Sequence, residues 1–539
     1  MGFIKTLIFM LLIKTPVFLF GNILDGREPL QNVLSELVPF GEYPKVNGVW
    51  LGHFPNQKDA LQYMVNHTVL HSKEEALNAL FNKLKALKSP NEKKAQELAV
   101  PYDAVFTPWP ASGEQKNQVS LVLFRGGRGG SDVTKLLADM QRTKGSVIKS
   151  LFIIVSGTDD GRSWEQGGQA LGLTGVPDMG KALLDLSPYK DMVHTLSIRI
   201  GDLNNDHRVK IKQRLNKLLK SLDHHKVAER LNELSEGFFN FIDKESQKKL
   251  IGEAFKYEPI PLRTVMLVGA YARLKDWQKA IDYVAHLIGV DPRNRVMTAT
   301  LERMHLSAIT EDGKFLASED AINETSRNLP IEHLFLSDKS PRSHEYATLK
   351  NIETKEEKLK FIRRHILHRQ VLPNPEVIEA LKTTQIVLYL PTTFESNLAS
   401  SLAVPAIGQA ISQSKAMKVF IPNAFKEADI GEYSGFDYFQ RLIGFSRGGI
   451  GQSWKANASC DGQMLADYSL LRITGIGESS LSLALPPGHP AQWMSCQVHP
   501  IELQTGVQSG SIKEGLKFSG EDIVRSVFSL VKLREARSL

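Results

Sequence analysis

The chain has 539 residues, of which 42% are hydrophobic and 23% charged, and its 66 basic and 59 acidic side chains give a net charge of +7. This composition is typical of a globular protein and excludes a wholly disordered or fibrous chain. At roughly 150 residues per domain, the length predicts about two to four domains. Two cysteines, Cys460 and Cys496, exclude a disulfide framework and a four-cysteine zinc site. The net charge alone does not indicate a nucleic-acid partner, and none is expected.

An apolar segment occupies residues 1–22. Lys5 precedes the apolar run as in a secretory signal, but Lys14 interrupts the run and no small-residue cleavage pattern follows Phe20. The uninterrupted stretch is shorter than the roughly 20 residues that span a bilayer. A signal, a membrane-contacting anchor and a buried element all remain open. A cytoplasmic location is favoured over export.

Residues 23–118 are predicted to form a helical N-terminal extension. Part of this region is rich in helix formers of mixed charge, and four leucines recur there at helical spacing: Leu77, Leu80, Leu84 and Leu87. Prolines and a glycine between 101 and 113, followed by a polar stretch, mark a boundary before residue 119.

The chain changes character at residue 119. A buried-strand run at 119–124, a glycine-rich turn, a helix-like segment at 131–142 and a second strand at 151–155 form a βαβ unit, which implies a parallel sheet. Later segments continue this pattern, with strands predicted at 385–390, 418–421, 469–473 and 481–485 and a helix at 406–415. The prediction is an α/β fold with a Rossmann-like, mainly parallel sheet and helices on both faces. One domain would extend over 119–539, with a helical insertion near 206–290.

The glycine-rich turn is the first candidate site. Four glycines between a strand and a helix would let a phosphate approach the free N–H groups at the positive end of the helix dipole: Gly126, Gly127, Gly129 and Gly130. The flanking Arg125 and Arg128 could add charge-assisted hydrogen bonds. The turn matches neither a dinucleotide fingerprint nor a P-loop, so a purely structural tight turn remains an equal alternative.

A pair of carboxylates follows the second strand. Asp159 and Asp160 stand at its carboxyl end, where side chains of parallel strands face the ligand crevice. They could hold a divalent cation that bridges phosphates, or one could act as a catalytic base. A solvated Asp-Gly turn is the alternative.

Several motifs in order resemble the CofD-like superfamily, which includes the 2-phospho-L-lactate transferases and the YvcK-type gluconeogenesis factors that bind nucleotide sugars. The family's Gly-Gly-Gly-Thr-Gly turn is similar to 126–130, its Asp-Asp-Gly-Gly-Ser motif to 159–163, and its Pro-Pro-Gly-Asp motif places its acid at Asp178. Segments at 299–313, 404–407 and 412–423, then Tyr433 and Asp437, also match. The resemblance spans about residues 119–535.

The resemblance implies a set of site residues. Asp159 and Asp160 would be catalytic, and with Asp178 they would bind a divalent cation such as Mg²⁺. The family's phosphate- and nucleotide-binding positions fall on the turn and on a few later residues: Gly126, Gly127, Arg128, Gly129, Gly130, Arg162, Ser163 and Asn423. The implied ligand is a nucleotide or a nucleotide-sugar diphosphate, and a homo-oligomer is expected.

Four ligand-facing segments depart from the family pattern. Arg128 replaces the threonine of the turn, Gly180-Lys181 stands where the family has Arg-Asn, and Arg263-Thr264 stands where it has Gly-Asn. The family's Gly-Pro-Gly-Ser strand end appears as residues 389–392. Three functions therefore stay open: a regulatory nucleotide-sugar binder, which is favoured, a 2-phospho-L-lactate transferase-like enzyme, and a non-catalytic interaction protein.

Overall fold

The structure, a computed structural model, describes most of the chain from residue 118 onwards. The described residues are 118–127, 129–158, 175–200, 213, 217, 225–247, 260–302, 304–325, 330–338, 341–367, 371–423, 435–458, 465–471, 499–502, 505–506, 517–518 and 520–538. The apolar segment 1–22, the extension predicted for 23–118 up to its last residue, and the strand predicted at 481–485 lie outside them.

The strands form one large sheet and three small ones. Their bounds are β1 Val119–Phe124, β2 Ile148–Val155, β3 Arg199–Ile200, β4 Ile260–Pro261, β5 Arg295–Thr298, β6 His305–Thr310, β7 Phe315–Leu316, β8 Ile331–Ser337, β9 Ile386–Tyr389, β10 Met417–Phe420, β11 Tyr468–Leu471, β12 His499–Glu502, β13 Thr505–Gly506 and β14 Lys517–Phe518. The large sheet has the order β12-β11-β10-β9-β1-β2-β5, and all its pairings are parallel. The pairs β3-β4 and β13-β14 and the sheet β7-β6-β8 are antiparallel.

The helices lie between and after these strands. They are α1 Ser131–Arg142, α2 Val176–Leu186, α3 Lys190–Ser197, α4 His225–Gln247, α5 Leu262–Leu274, α6 Trp277–Leu287, α7 Glu319–Thr325, α8 Ser343–Asn351, α9 Lys355–His365, α10 Pro375–Thr383, a π-helix Phe394–Ala399, α11 Ser400–Leu402, α12 Ile407–Gln413, α13 Gly435–Gly448, α14 Trp454–Asn457 and α15 Gly520–Ser538.

Both faces of the large sheet are covered, as alternate side chains of the central strand demonstrate. Leu121 and Leu123 of β1 belong to a core that includes α1, α2, α5 and α15. Val122 and Phe124 belong to a second core that includes α10, the π-helix, α12, α13 and strands β6 and β8. All six residues of β1 are buried, as is expected of a central strand in a parallel sheet. This burial explains why the sequence of the strand is almost entirely apolar. The predicted α/β fold with a mainly parallel sheet is confirmed.

A buried ion pair joins the π-helix to α13 in the second core. The carboxylate of Glu395 contacts the guanidinium of Arg441, and neither side chain is exposed. The Arg441 guanidinium also lies 5.9 Å from the ring centroid of Phe394 and 5.3 Å from that of Trp454. Burial lowers the pKa of Arg441 to about 9, so the side chain is still protonated at neutral pH.

We predict that this pair makes the two replacements Glu395→Met and Arg441→Met strongly non-additive. Either single variant leaves one charge buried without its partner and should lower the free energy of unfolding by about 3–5 kcal/mol. The double variant removes both charges and should be far less destabilised than the sum of the singles. Urea denaturation of the four proteins measures the coupling, and additive losses would contradict it.

Candidate functional site

The candidate site lies where the order of the large sheet reverses. From β1 the chain adds β2 and then β5 on one side, whereas β9 pairs with the other edge of β1 and leads to β10. The loops after β1 and β9 therefore diverge above adjacent strands. In open α/β sheets this switch point is where ligands bind.

The glycines of the first loop are needed because the second loop approaches them very closely. A Cβ atom at Gly126 would lie 2.1 Å from Thr392 Oγ1, and one at Gly129 would lie 1.8 Å from the carbonyl oxygen of Pro391. Contacts this short are not tolerated, so side chains are excluded at both positions. The loop after β9 thus accounts for these glycines without any ligand.

Arg125 does not face a ligand, which corrects the expectation that it would bond phosphate. Its guanidinium is buried and donates to the carbonyl oxygens of Gly126 at 2.9 Å and Gly127 at 2.8 Å. It also donates to Thr134 Oγ1 at 3.0 Å and to Asp185 Oδ2 at 2.7 Å. The sequence did not reveal this because Asp185 lies 60 residues further along the chain.

Arg125 binds the carbonyl oxygens on one side of the turn, so amide N–H groups of the turn point to the opposite side. In a trans peptide the N–H points opposite to the C=O, so the N–H of Gly127 points away from Arg125. Within the described part of the chain, the N–H groups of Gly127, Gly129 and Gly130 donate to no protein acceptor. They precede the first turn of α1, whose own N–H groups carry the positive end of the helix dipole.

Asp178 meets the turn directly, as the resemblance implied. It lies in the first turn of α2, is 9% exposed, and its Oδ1 is 2.2 Å from the position that a Cβ of Gly127 would take. Gly175, with φ of 72°, allows the chain to enter α2 tightly against Gly157. The acid of the third motif and the glycines of the first motif therefore form one site.

Lys181 stands one helical turn beyond Asp178, beside the start of α1. Its Nζ lies 3.4 Å from Ser131 Oγ. The pKa of Lys181 is lowered, mainly by burial and further by the charges of Arg125, Lys135 and Arg263, while Asp185 opposes that shift. Around the start of α1 the described residues include four cations, Lys181, Arg125, Lys135 and Arg263, and three carboxylates, Asp132, Asp178 and Asp185, so cations outnumber carboxylates by one.

The stem of Arg263 packs against α2, close to Lys181, because Gly180 has no side chain to block it. A Cβ at Gly180 would lie 3.0 Å from Arg263 Cγ, so the arginine stem of α5 occupies the space beside α2. By the resemblance described above, glycine stands at 180 where the family has arginine and arginine at 263 where it has glycine, and the structure brings these two positions of the exchange into contact. The sequence contained this signal, but Lys181 and Arg263 were not predicted as site residues.

The opposite wall is built by the loop and π-helix after β9. Asn423, predicted as a ligand contact, lies just beyond β10 and its Nδ2 donates to the carbonyl oxygen of Thr392 at 3.1 Å. Asn397 in the π-helix has its Cγ 2.9 Å from the Cβ position of Gly126 and is 7% exposed. Thr392 ends the segment 389–392 that departs from the family's strand-end motif, whereas sequence reasoning missed Asn397 because no motif marks it.

Five predicted site residues lie outside the described residues: Arg128, Asp159, Asp160, Arg162 and Ser163. Among the described residues, no group of three or more His, Cys, Asp or Glu side chains could hold a metal ion. Asp178 is the one proposed metal ligand that the structure describes. No helix in the described ranges is both long and apolar enough to cross a membrane.

We predict that Gly129→Ala destabilises the protein although Gly129 itself is exposed. The new methyl group would collide with the backbone at Pro391, and overpacking of this kind costs about 1–3 kcal/mol. Gly180→Ala is the control, because alanine is favoured within a helix and the flexible Arg263 stem can yield. Thermal unfolding compares them, and equal melting temperatures would contradict the close approach of the two loops.

The family model for 2-phospho-L-lactate transferase CofD matches residues 121–444. A gluconeogenesis factor of Halalkalibacterium halodurans is 23% identical over 183 residues, which is 34% of this chain and 46% of that protein. An Aquifex aeolicus protein, provisionally given the same description, is 21% identical over 153 residues, or 28% of this chain and 38% of that protein. The chain thus spans less than half the length of these relatives.

A solved structure resembles the fold over a longer stretch. A crystal structure of a Bacillus halodurans protein of the UPF0052 family has a TM-score of 0.50 with this chain at 16% identity. The match covers 77% of this chain and 99% of that one. This likeness concerns the fold alone, whereas the family model spans more than half of the chain. The chain therefore belongs to the CofD family.

Proposed function

We propose that this protein binds the diphosphate group of a nucleotide or nucleotide sugar at the turn between β1 and α1. The observation that carries the proposal is the half-buried Lys181 ammonium beside Ser131 at the start of α1, next to amide groups that donate to no acceptor in the described part of the protein. Phosphate oxygens are strong acceptors that match such a helix N-terminus. Lys181, Ser131 and the N–H groups of Gly127, Gly129 and Gly130 would hold them.

Asp178 gives the site a place for a divalent cation. Mg²⁺ is commonly held by one or two carboxylates together with phosphate oxygens and water, so a single buried carboxylate beside the turn is a suitable donor. A bound cation would neutralise part of the diphosphate charge. Asp178 would hold it against the turn, and Asp159 and Asp160 stay proposed as further ligands.

A regulatory role without turnover is the favoured form of this function. The YvcK-type proteins that the chain resembles bind nucleotide sugars, and two relatives carry the description of gluconeogenesis factors. The second candidate is transfer of a phosphoryl-linked group, favoured by the transferase family whose model the chain matches. In that reaction the bond between the two phosphates would break, one phosphate would travel with the transferred group, and a cation held by Asp178 would stabilise the charge on the leaving nucleoside monophosphate.

Titration calorimetry on the full chain tests the proposal with UDP-glucose, GDP and inorganic diphosphate, each with and without magnesium. We expect saturable binding to the native protein that Lys181→Met weakens by roughly 10- to 100-fold, because a charged hydrogen bond contributes about 1.5–3 kcal/mol. Lys279→Met is the matched control, since Lys279 is 73% exposed and pairs with Asp276, away from the turn.

Absence of binding by the native protein would overturn the proposal and favour a non-catalytic interaction protein. Binding that Lys181→Met leaves unchanged would place the ligand elsewhere. Asp178→Asn should remove the magnesium dependence of binding, because the amide keeps the shape of the carboxylate but loses its charge.

A further inference from the structure

One buried acceptor in the wall of the site has no hydrogen bond. Asn397 is 7% exposed, and its Nδ2 donates to Thr393 Oγ1 at 2.9 Å. Its Oδ1 is buried and has no partner. An orphaned buried acceptor costs about 1–3 kcal/mol, and groups of this kind are rare in folded proteins.

The fold places the Asn397 side chain at the switch point, with its Cγ 2.9 Å and its Nδ2 3.1 Å from the position that a Cβ of Gly126 would take. Asn397 lies in the π-helix that follows β9, and such one-turn insertions are frequent at functional sites. Two contacts tie this helix to the rest of the fold: Glu395 pairs with Arg441, and the carbonyl oxygen of Ser396 accepts a hydrogen bond from Thr158 Oγ1 at 3.4 Å. The Asn397 amide is thereby kept against Gly126, at the edge of the phosphate-binding turn.

The chemistry of an amide oxygen limits what can satisfy it. An ionised phosphate oxygen only accepts hydrogen bonds, so it cannot pair with Oδ1. A hydroxyl group donates, and sugar rings joined to a diphosphate carry hydroxyl groups close to the phosphorus atoms. A site with a buried polar group discriminates strongly against a ligand that lacks the matching group.

We propose that Asn397 Oδ1 accepts a hydrogen bond from a sugar hydroxyl next to the bound diphosphate, and so determines specificity for nucleotide sugars over free diphosphate. This inference rests on the proposed function, since it requires the diphosphate at the turn. Asn397 is a specificity-determining residue, and the Glu395–Arg441 pair positions it.

The test compares UDP-glucose with inorganic diphosphate in calorimetric titrations of the full chain carrying Asn397→Leu or Asn397→Asp. Leucine has a similar shape without an acceptor and should weaken UDP-glucose binding roughly 10- to 100-fold while leaving diphosphate binding unchanged. Aspartate keeps an acceptor in place and should preserve the ratio of the two affinities, although its charge lowers both. The melting temperature of the unliganded leucine variant should be no lower than that of the native protein, because the orphaned acceptor is gone.

The other outcomes overturn the inference in distinguishable ways. Equal weakening of both ligands by Asn397→Leu, present only with magnesium, would make Asn397 a cation ligand. A lower melting temperature with an unchanged affinity ratio would make its role structural. If the native protein binds neither ligand, the proposed function fails and this inference fails with it. If the native protein binds both and the leucine variant behaves identically, only this inference fails.

Discussion

The buried guanidinium of Arg125 is the interaction on which the candidate site depends. It binds the two carbonyl oxygens of the glycine turn, a threonine of α1 and Asp185 of α2. One side chain thus fixes the turn and the two helices around it, and it orients the amide groups outward. Charge buried in this way is costly unless it is paired and hydrogen-bonded, and here four of the five N–H donors bond to a carboxylate, a hydroxyl and two carbonyl oxygens. The positive character of the crevice belongs to other residues, because Arg125 is already neutralised.

Local patterns in the sequence predicted the central strands well. The predicted strand 119–124 and helix 131–142 coincide with β1 and α1, and the helix predicted at 406–415 is observed as Ile407–Gln413. That helix starts late because Ala406 has φ of 69°, a left-handed conformation that cannot belong to an α-helix. The strand predicted at 151–155 begins earlier, at Ile148, where Ser150 bonds Ser120 across the pair instead of extending the apolar run.

Features that depend on distant partners could not be predicted in this way. The antiparallel sheet of β6, β7 and β8 forms by pairing such as Ile309 with His333, and short apolar runs do not reveal their partners. Contacts between residues distant in sequence also explain why parts of the candidate site were not predicted. Asp178 was identified through the family motif, yet its contact with Gly127 is a property of the fold, and the role expected of Arg125 was wrong because its acceptors are tertiary.

Position 180 has glycine and position 263 has arginine, the reverse of the family pattern that the chain resembles. This exchange is relevant to whether the altered motifs still form a ligand-binding site. Here the arginine absent from α2 is matched by an arginine from α5, which occupies the space that Gly180 leaves, and Lys181 adds a cation beside Ser131. Like charges brought together in a half-buried place repel one another, so the arrangement is unfavourable for stability alone. The anion proposed to bind at the start of α1 would relieve that repulsion, so the two altered positions are compatible with the proposed binding function.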